Sequence, residues 1–132
     1  MSRPPKARGE LVEIQFLLEA AGRGLVVAKP WGDNLPFDFL VGRGTRYHRV
    51  QVRSTQNRKH RGYQLATMHG RNRAYTVDEA DFFAAYVIPE KTWYLIPVKA
   101  FSPKKGFVLF PRQSRSHGQF EGFREAWHLL EP

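Results

Sequence analysis

Pro36-Phe37-Asp38-Phe39-Leu40-Val41-Gly42-Arg43-Gly44-Thr45-Arg46-Tyr47-His48-Arg49-Val50-Gln51-Val52-Arg53 is the stretch on which the fold turns. Residues 37–41 read as a strand with one acid set into an apolar run. Gly42-Arg43-Gly44 reads as a turn, and residues 45–54 as a second strand. In that second strand Val50 and Val52 point to one face, while Arg49, Gln51 and Arg53 point to the other. A hairpin turning at Arg43 and Gly44 sets Asp38 opposite Arg49, with Gln51 and Arg53 one and two pleat steps further along the same face. An acid in an apolar strand needs a partner if it is buried, which singles out Asp38. For Gln51 and Arg53 the competing reading is a plain solvated strand face.

Upstream, residues 9–21 carry a helical pattern. Leu11, Ile14, Leu18 and Ala21 recur at spacings of three and four, joined by Val12 and Phe16 on a wide apolar face. Gly22 and Gly24 follow where a helix end favours a left-handed residue. Residues 25–28 read as a buried strand that stops at the turn-rich Lys29-Pro30-Trp31-Gly32-Asp33-Asn34. Residues 1–8 read as a flexible basic arm. Downstream, residues 55–73 are polar, basic and poorly periodic, a loop or mobile flap with one short strand near 63–67. Residues 78–81 read as a turn or a short helical start. Residues 82–88 and 92–98 are strands joined by Pro89-Glu90-Lys91, and 107–110 is a short strand. Phe120, Phe123, Trp127 and Leu130 mark a closing amphipathic helix. Helix, strands, helix describes a single α+β or mixed α/β domain over residues 9–132.

The chain has 132 residues and no cysteine, so disulfides, thiolate metal sites and cysteine nucleophiles are excluded together. No apolar run has the length of a membrane span, and no apolar region follows the basic N-terminus as in a signal peptide. The expected address is the cytoplasm. The formal charge is +9, and its distribution is uneven. No Asp or Glu lies between Phe39 and Val77, a segment that holds Arg43, Arg46, Arg49, Arg53, Arg58, Lys59, Arg61, Arg71 and Arg73. Such a tract points to nucleic acid as the partner, with a merely solvated surface as the bland reading. Membrane headgroups fit less well, because no amphipathic basic helix accompanies the charge.

Glu10 and Glu13 lie three apart in the first helix. Their bland role is to favour the helix dipole. Either would meet Asp38 if the helix crosses the strand ends. Two carboxylates and an amide oxygen make a hard-oxygen set suited to Mg²⁺. The histidines at 48, 60, 69, 117 and 128 show no metal-ligand spacing. Asp78, Glu79 and Asp81 read as capping and turn residues, and Trp93, Tyr94 and Trp127 as core. Tyr47, Tyr63 and Tyr75, interleaved with the basic tract, are candidates for base stacking.

Pro36-Phe37-Asp38, followed thirteen residues later by Gln51-Val52-Arg53, resembles the PD-(D/E)xK signature of restriction-endonuclease-like nucleases. Gly9-Glu10-Leu11-Val12-Glu13 resembles the Gly-xxx-Glu start of the first helix in that superfamily, as in archaeal Holliday junction resolvases. Gly32-Asp33-Asn34, Arg49-Val50-Gln51-Val52-Arg53, Asp81-Phe82-Phe83 and Trp93-Tyr94-Leu95-Ile96-Pro97 look like the branch containing group I intron-associated homing endonucleases, where a Gln replaces the second acid. The likeness runs from about Gly9 to Val98. It implies a restriction-endonuclease-like core with a mixed central sheet. It also implies Glu13 as the helix carboxylate ahead of Glu10, Asp38 as main metal ligand, Gln51 in place of the second acid, and Arg53 where the family has Lys. Arginine, unlike lysine, effectively cannot deprotonate, so Arg53 would orient water or stabilise charge.

The resulting expectation is a metal-dependent DNA endonuclease using Mg²⁺ (or Mn²⁺), with Glu13, Asp38, Gln51 and Arg53 catalytic and the first three holding the metal. Duplex or branched DNA is the expected partner, with RNA as the alternative polyanion. Arg43, Arg46, Arg49, Arg58, Lys59, Arg61, Arg71 and Arg73 would contact nucleic acid. A homodimer or higher oligomer would supply two active sites for duplex cleavage. The rival reading, favoured by Arg53, is a catalytically weak or inactive nucleic-acid-binding module on the same fold. A basic RNA-associated protein with a chance motif is the third.

Overall fold

A computed structural model describes residues 5–32 and 34–131. Helix α1 spans Pro5–Gly22. It begins earlier than its apolar period, because proline suits a first helical position, where its missing N–H would lack a partner anyway. Residues 5–8 thus belong to the helix, and the rest of the expected arm lies outside the described residues. The face α1 buries is also narrower than expected. Val12, Phe16 and Ala20, at steps of four, are buried. Leu11, Ile14, Leu17 and Leu18 stay exposed, Leu18 at 67 %.

The strands are β1 (Val26–Ala28), β2 (Phe39–Arg43), β3 (Arg46–Thr55), β4 (Arg58–Lys59), β5 (Gly62–Ala66), β6 (Phe82–Val87), β7 (Thr92–Pro97) and β8 (Gly106–Leu109). One sheet runs β1-β2-β3-β6-β7, and β4-β5-β8 form a second. Only the β3–β6 pair in the first sheet is parallel. A short helix, α2 (Val98–Phe101), follows β7. The segment expected to be a flap is therefore largely an ordered hairpin. His60 and Arg61, both with positive φ, turn it, and β5 pairs with β8. Pairing with a distant strand is what local periodicity could not register. Strand β1, expected to be buried, is an edge strand whose Val26 is exposed.

The β2–β3 hairpin turns on Gly44-Thr45, so Leu40 rather than Asp38 faces Arg49. A shift of two residues keeps every side chain on its expected face. Gly42 allows this tight closure, since a Cβ there would lie 1.9 Å from the Arg46 carbonyl oxygen.

The five-stranded sheet separates two cores. On one face Phe16 meets Phe39, Trp93 and Trp127, with ring centroids 5.6–5.7 Å apart. On the other, Phe83, Ala85, Tyr94 and Ile96 pack against Tyr63, Leu65, Phe107 and Leu109 of the second sheet. The layers are helix, sheet and smaller sheet. No helix among the described residues is long and apolar enough to cross a membrane.

In place of a single closing helix, the C-terminal segment forms two 3-10 turns, Glu121–Phe123 and Trp127–Leu130. The break falls at Glu125, which has positive φ. Its carboxylate accepts hydrogen bonds from the Trp93 N–H and the Trp127 indole, and its own N–H donates to the Trp93 carbonyl. The segment thereby covers the edge of β7, an alternative to helix that satisfies an unpaired strand. Phe120, Trp127 and Leu130 remain buried.

The segment is locked by Glu121, whose side chain is fully buried. It accepts from the Tyr94 hydroxyl at 2.5 Å, Arg124 at 2.6 Å and the Phe110 N–H at 2.9 Å. Removing one partner of a buried pair leaves an uncompensated charge. Arg124→Ala is expected to destabilise the protein by about 3 kcal/mol, read from urea denaturation midpoints.

Candidate active site

Strand β2 ends its ladder at Phe39, paired with Val50. One step earlier, the Asp38 N–H donates to the Val50 carbonyl at 2.9 Å, and Asp38 Oδ2 accepts from the Val52 N–H at 2.8 Å. The carboxylate thus replaces the next strand residue as acceptor and is held at the end of the sheet. No described residue donates to Oδ1. Helix α1 crosses beside this point and brings Glu13 to the same cavity, of about 180 Å³, which Lys29, Pro30, Gly32, Leu35 and Phe37 also line.

Burial raises the pKa of Asp38, against the Val52 hydrogen bond and the positive charges of Lys29 and Arg53. Burial also raises Glu13, and the nearby Asp38 carboxylate raises it further. Two like charges are therefore held together out of full solvation. Lys29 offsets them, with Nζ 3.5 Å from Glu13 Oε1 and over the Phe39 ring at 5.0 Å from its centroid. Sequence reading overlooked Lys29. Its only signal was a cation at the end of a strand, and its relevance appears once α1 packs across that end.

Gln51 is half-buried, and the register continued one step past Phe39 brings it level with Asp38. It does not line the cavity. Arg53 lies close enough to Asp38 for its charge to be felt there, but its donors are spent on backbone. Nη2 donates to the Met68 carbonyl at 2.8 Å and Nη1 to the Ala66 carbonyl at 3.3 Å. The guanidinium lies over the rings of Tyr75 and Phe83, 5.4 Å from each centroid. The Tyr75 hydroxyl in turn donates to the Pro36 carbonyl. Arg53 and Tyr75 so pin the 66–75 segment to the strand that carries the site. Glu10 is exposed and outside the cavity. Among the described residues no three His, Cys, Asp or Glu side chains converge. A divalent cation would rely on Glu13 and Asp38 plus a neutral oxygen such as the Gln51 amide. The donor set fits one, because two carboxylates raised by burial, Glu13 also by the Asp38 charge, are relieved by a bound cation.

The basic tract divides. Arg49 is structural, donating to both Asp81 oxygens and to the Asp78 and Val77 carbonyls. These bonds outweigh burial and hold Asp81 below its ordinary pKa. Arg43 reaches the Arg23 carbonyl and Glu131. Arg58 bonds to Tyr63, and Arg73 pairs with Glu79, which also bonds His69 and the Thr76 N–H. Arg46, Lys59, Arg61 and Arg71 are exposed and form no ion pair with described residues. Tyr63 and Tyr75 are buried and cannot act as stacking platforms, whereas Tyr47 is exposed.

A family model of the PD-(D/E)XK endonucleases matches residues 4–130. The chain belongs to the PD-(D/E)XK endonuclease family. Its fold is similar to that of a bacterial homing endonuclease, I-Ssp6803I, at 29 % identity over 97 % of this chain and 93 % of that one, with a TM-score of 0.80. It also resembles Hjc, a Holliday junction resolvase from the archaeon Archaeoglobus fulgidus, at 18 % identity over 77 % and 83 % of the two chains, with a TM-score of 0.55. No curated protein matches the sequence. For this PD-(D/E)XK chain the fold expected from the signature is therefore correct.

The site costs stability. Asp38→Asn keeps an oxygen for the Val52 N–H but removes the buried charge. It is expected to raise the melting temperature at neutral pH by a few degrees, on the order of 1 kcal/mol. A carboxylate whose folded pKa is raised penalises folding when ionised, so the gain should vanish as pH falls through that raised value. Calorimetry of both proteins across pH 3–8 checks the sign.

Proposed function

We propose that this protein is a metal-dependent DNA endonuclease that hydrolyses phosphodiester bonds. The observation that carries this reading is the convergence of Glu13, Asp38 and Lys29 on one cavity at the end of the sheet. Membership of the endonuclease family and the likeness to a homing endonuclease support DNA as substrate. Asp38 and Glu13, with the Gln51 amide oxygen, would hold Mg²⁺ or Mn²⁺. Bound there, the ion supplies Lewis-acid stabilisation of phosphate charge and a more acidic water. Asp38 is pre-set for this by the Val52 N–H, which engages Oδ2 and leaves Oδ1 without a donor among the described residues. Lys29, which lines the cavity, would supply a free cation for the non-bridging phosphate oxygens, whereas Arg53 adds its charge with its donors already engaged by backbone carbonyls. Arg53 fixes the neighbouring backbone. Arg46, Lys59, Arg61 and Arg71 are available to phosphates, as contacts that position without reading sequence.

A plasmid-nicking assay with Mg²⁺ or Mn²⁺, and then EDTA, tests the reading. Asp38→Ala and Lys29→Met are each expected to lose about a hundredfold in cleavage rate, while DNA binding in EDTA persists and weakens steeply with salt. Arg53→Lys should bring no gain. The rival, a binding module without catalysis, rests on the engagement of Arg53 by the Ala66 and Met68 carbonyls. It predicts DNA binding with no metal-dependent nicking, and cleavage appearing in Arg53→Lys.

Cutting both strands of a duplex calls for two sites. Leu11, Ile14 and Leu18 form an exposed apolar row on α1 that suits a second copy of this chain. Leu18→Glu is expected to shift sedimentation from dimer to monomer.

A further inference from the structure

Trp31 is 101 % exposed, as open as an isolated residue, whereas Trp93 and Trp127 are 3 % and 4 % exposed. The indole is the largest apolar side chain available to the protein, and here it stands in water on a loop. The loop holds it at a defined place. Lys29, two residues before it, is anchored by Glu13 and the Phe39 ring. Pro30 restricts the backbone immediately before it, and Gly32, at φ +102, turns the chain immediately after it. Lys29, Pro30 and Gly32 line the cavity that contains Asp38. Lys29, Pro30, Trp31 and Gly32 also flank an adjoining open hollow.

We infer that Trp31 stacks on a nucleobase next to the phosphodiester held at Glu13, Asp38 and Lys29. The inference rests on the nuclease reading above and adds a base-binding element to it. Every base presents a π face, so an exposed indole binds without needing a particular sequence. Its chain neighbours Pro30 and Gly32 line the phosphate-handling cavity, which puts the indole beside a strand held there. There an aromatic wedge can enter and unstack a neighbouring base step. The +9 charge of the chain favours a nucleic-acid occupant over an apolar protein surface.

Because the other two tryptophans are buried, acrylamide reads Trp31 in the intact protein. Duplex and four-way-junction oligonucleotides carrying a fluorescent end label are titrated in EDTA, with no cleavage required. Wild-type emission is expected to fall on binding and to lose its sensitivity to acrylamide. Trp31→Ala should bind about tenfold or more weakly with an unchanged melting temperature, and Trp31→Phe should stay within about threefold of wild type. If labelled DNA binds while the Trp31 emission stays open to acrylamide, or if Trp31→Ala binds as tightly as wild type, the inference is overturned and the nuclease reading stands. A change in sedimentation in place of DNA affinity assigns Trp31 to a protein contact and also overturns it. Failure of wild type to bind either DNA removes the nuclease reading and this inference with it.

Discussion

The rest of the site depends on one hydrogen bond, from the Val52 N–H to the Asp38 carboxylate. Strand β3 runs antiparallel to β2 through its first half and continues beside β6 after β2 has gone. At the point where β2 leaves, the backbone of β3 faces unpaired donors, and a buried donor must find an acceptor. Asp38 supplies it from a side chain. An acid that would be an error in an apolar strand thus completes the ladder, and its position is fixed by the sheet. Glu13 and Lys29 then reach it from α1 and the end of β1.

That arrangement works against stability. Both carboxylates are raised by burial, and Glu13 is raised again by Asp38. Lys29 compensates in part from a largely exposed position, and an ion pair of that kind contributes little. The core carries the cost. Phe16 sits among three aromatic rings directly behind the site, and Glu121 ties down the segment that covers the β7 edge. A site that repels itself is kept by the packing behind it, which reaches it through the Phe39 ring under Lys29.

Positive charge is likewise split by environment. Arg49, Arg53 and Arg124 spend their donors on backbone carbonyls and on the carboxylates of Asp81 and Glu121, where a planar fork is worth more than a point charge. Arg46, Lys59, Arg61 and Arg71 remain in water. A count of bases in the sequence therefore overstates the surface offered to a polyanion. The residues in tight ion pairs are recognisable only after their acids have been brought from far along the chain, as Asp81 is to Arg49.

Much was legible in the sequence alone. The helix, the β2–β3 hairpin with its faces, the β6–β7 pair and the core tryptophans follow from periodicity and turn residues, which are local. So does the choice of Asp38, an acid where the pattern demands an apolar residue. The family signature ranked Glu13 ahead of Glu10 and gave Gln51 the place of the second acid. Tertiary structure decided the rest. It chose Val12, Phe16 and Ala20 over the Leu11 row, paired β5 with β8, split the closing helix at Glu125, engaged the Arg53 donors on backbone carbonyls and brought in Lys29. Each of these depends on which distant partner satisfies a buried face, an open strand edge or an isolated charge. Spacing along a chain carries the period of a helix or strand, and it carries no record of what packs against it.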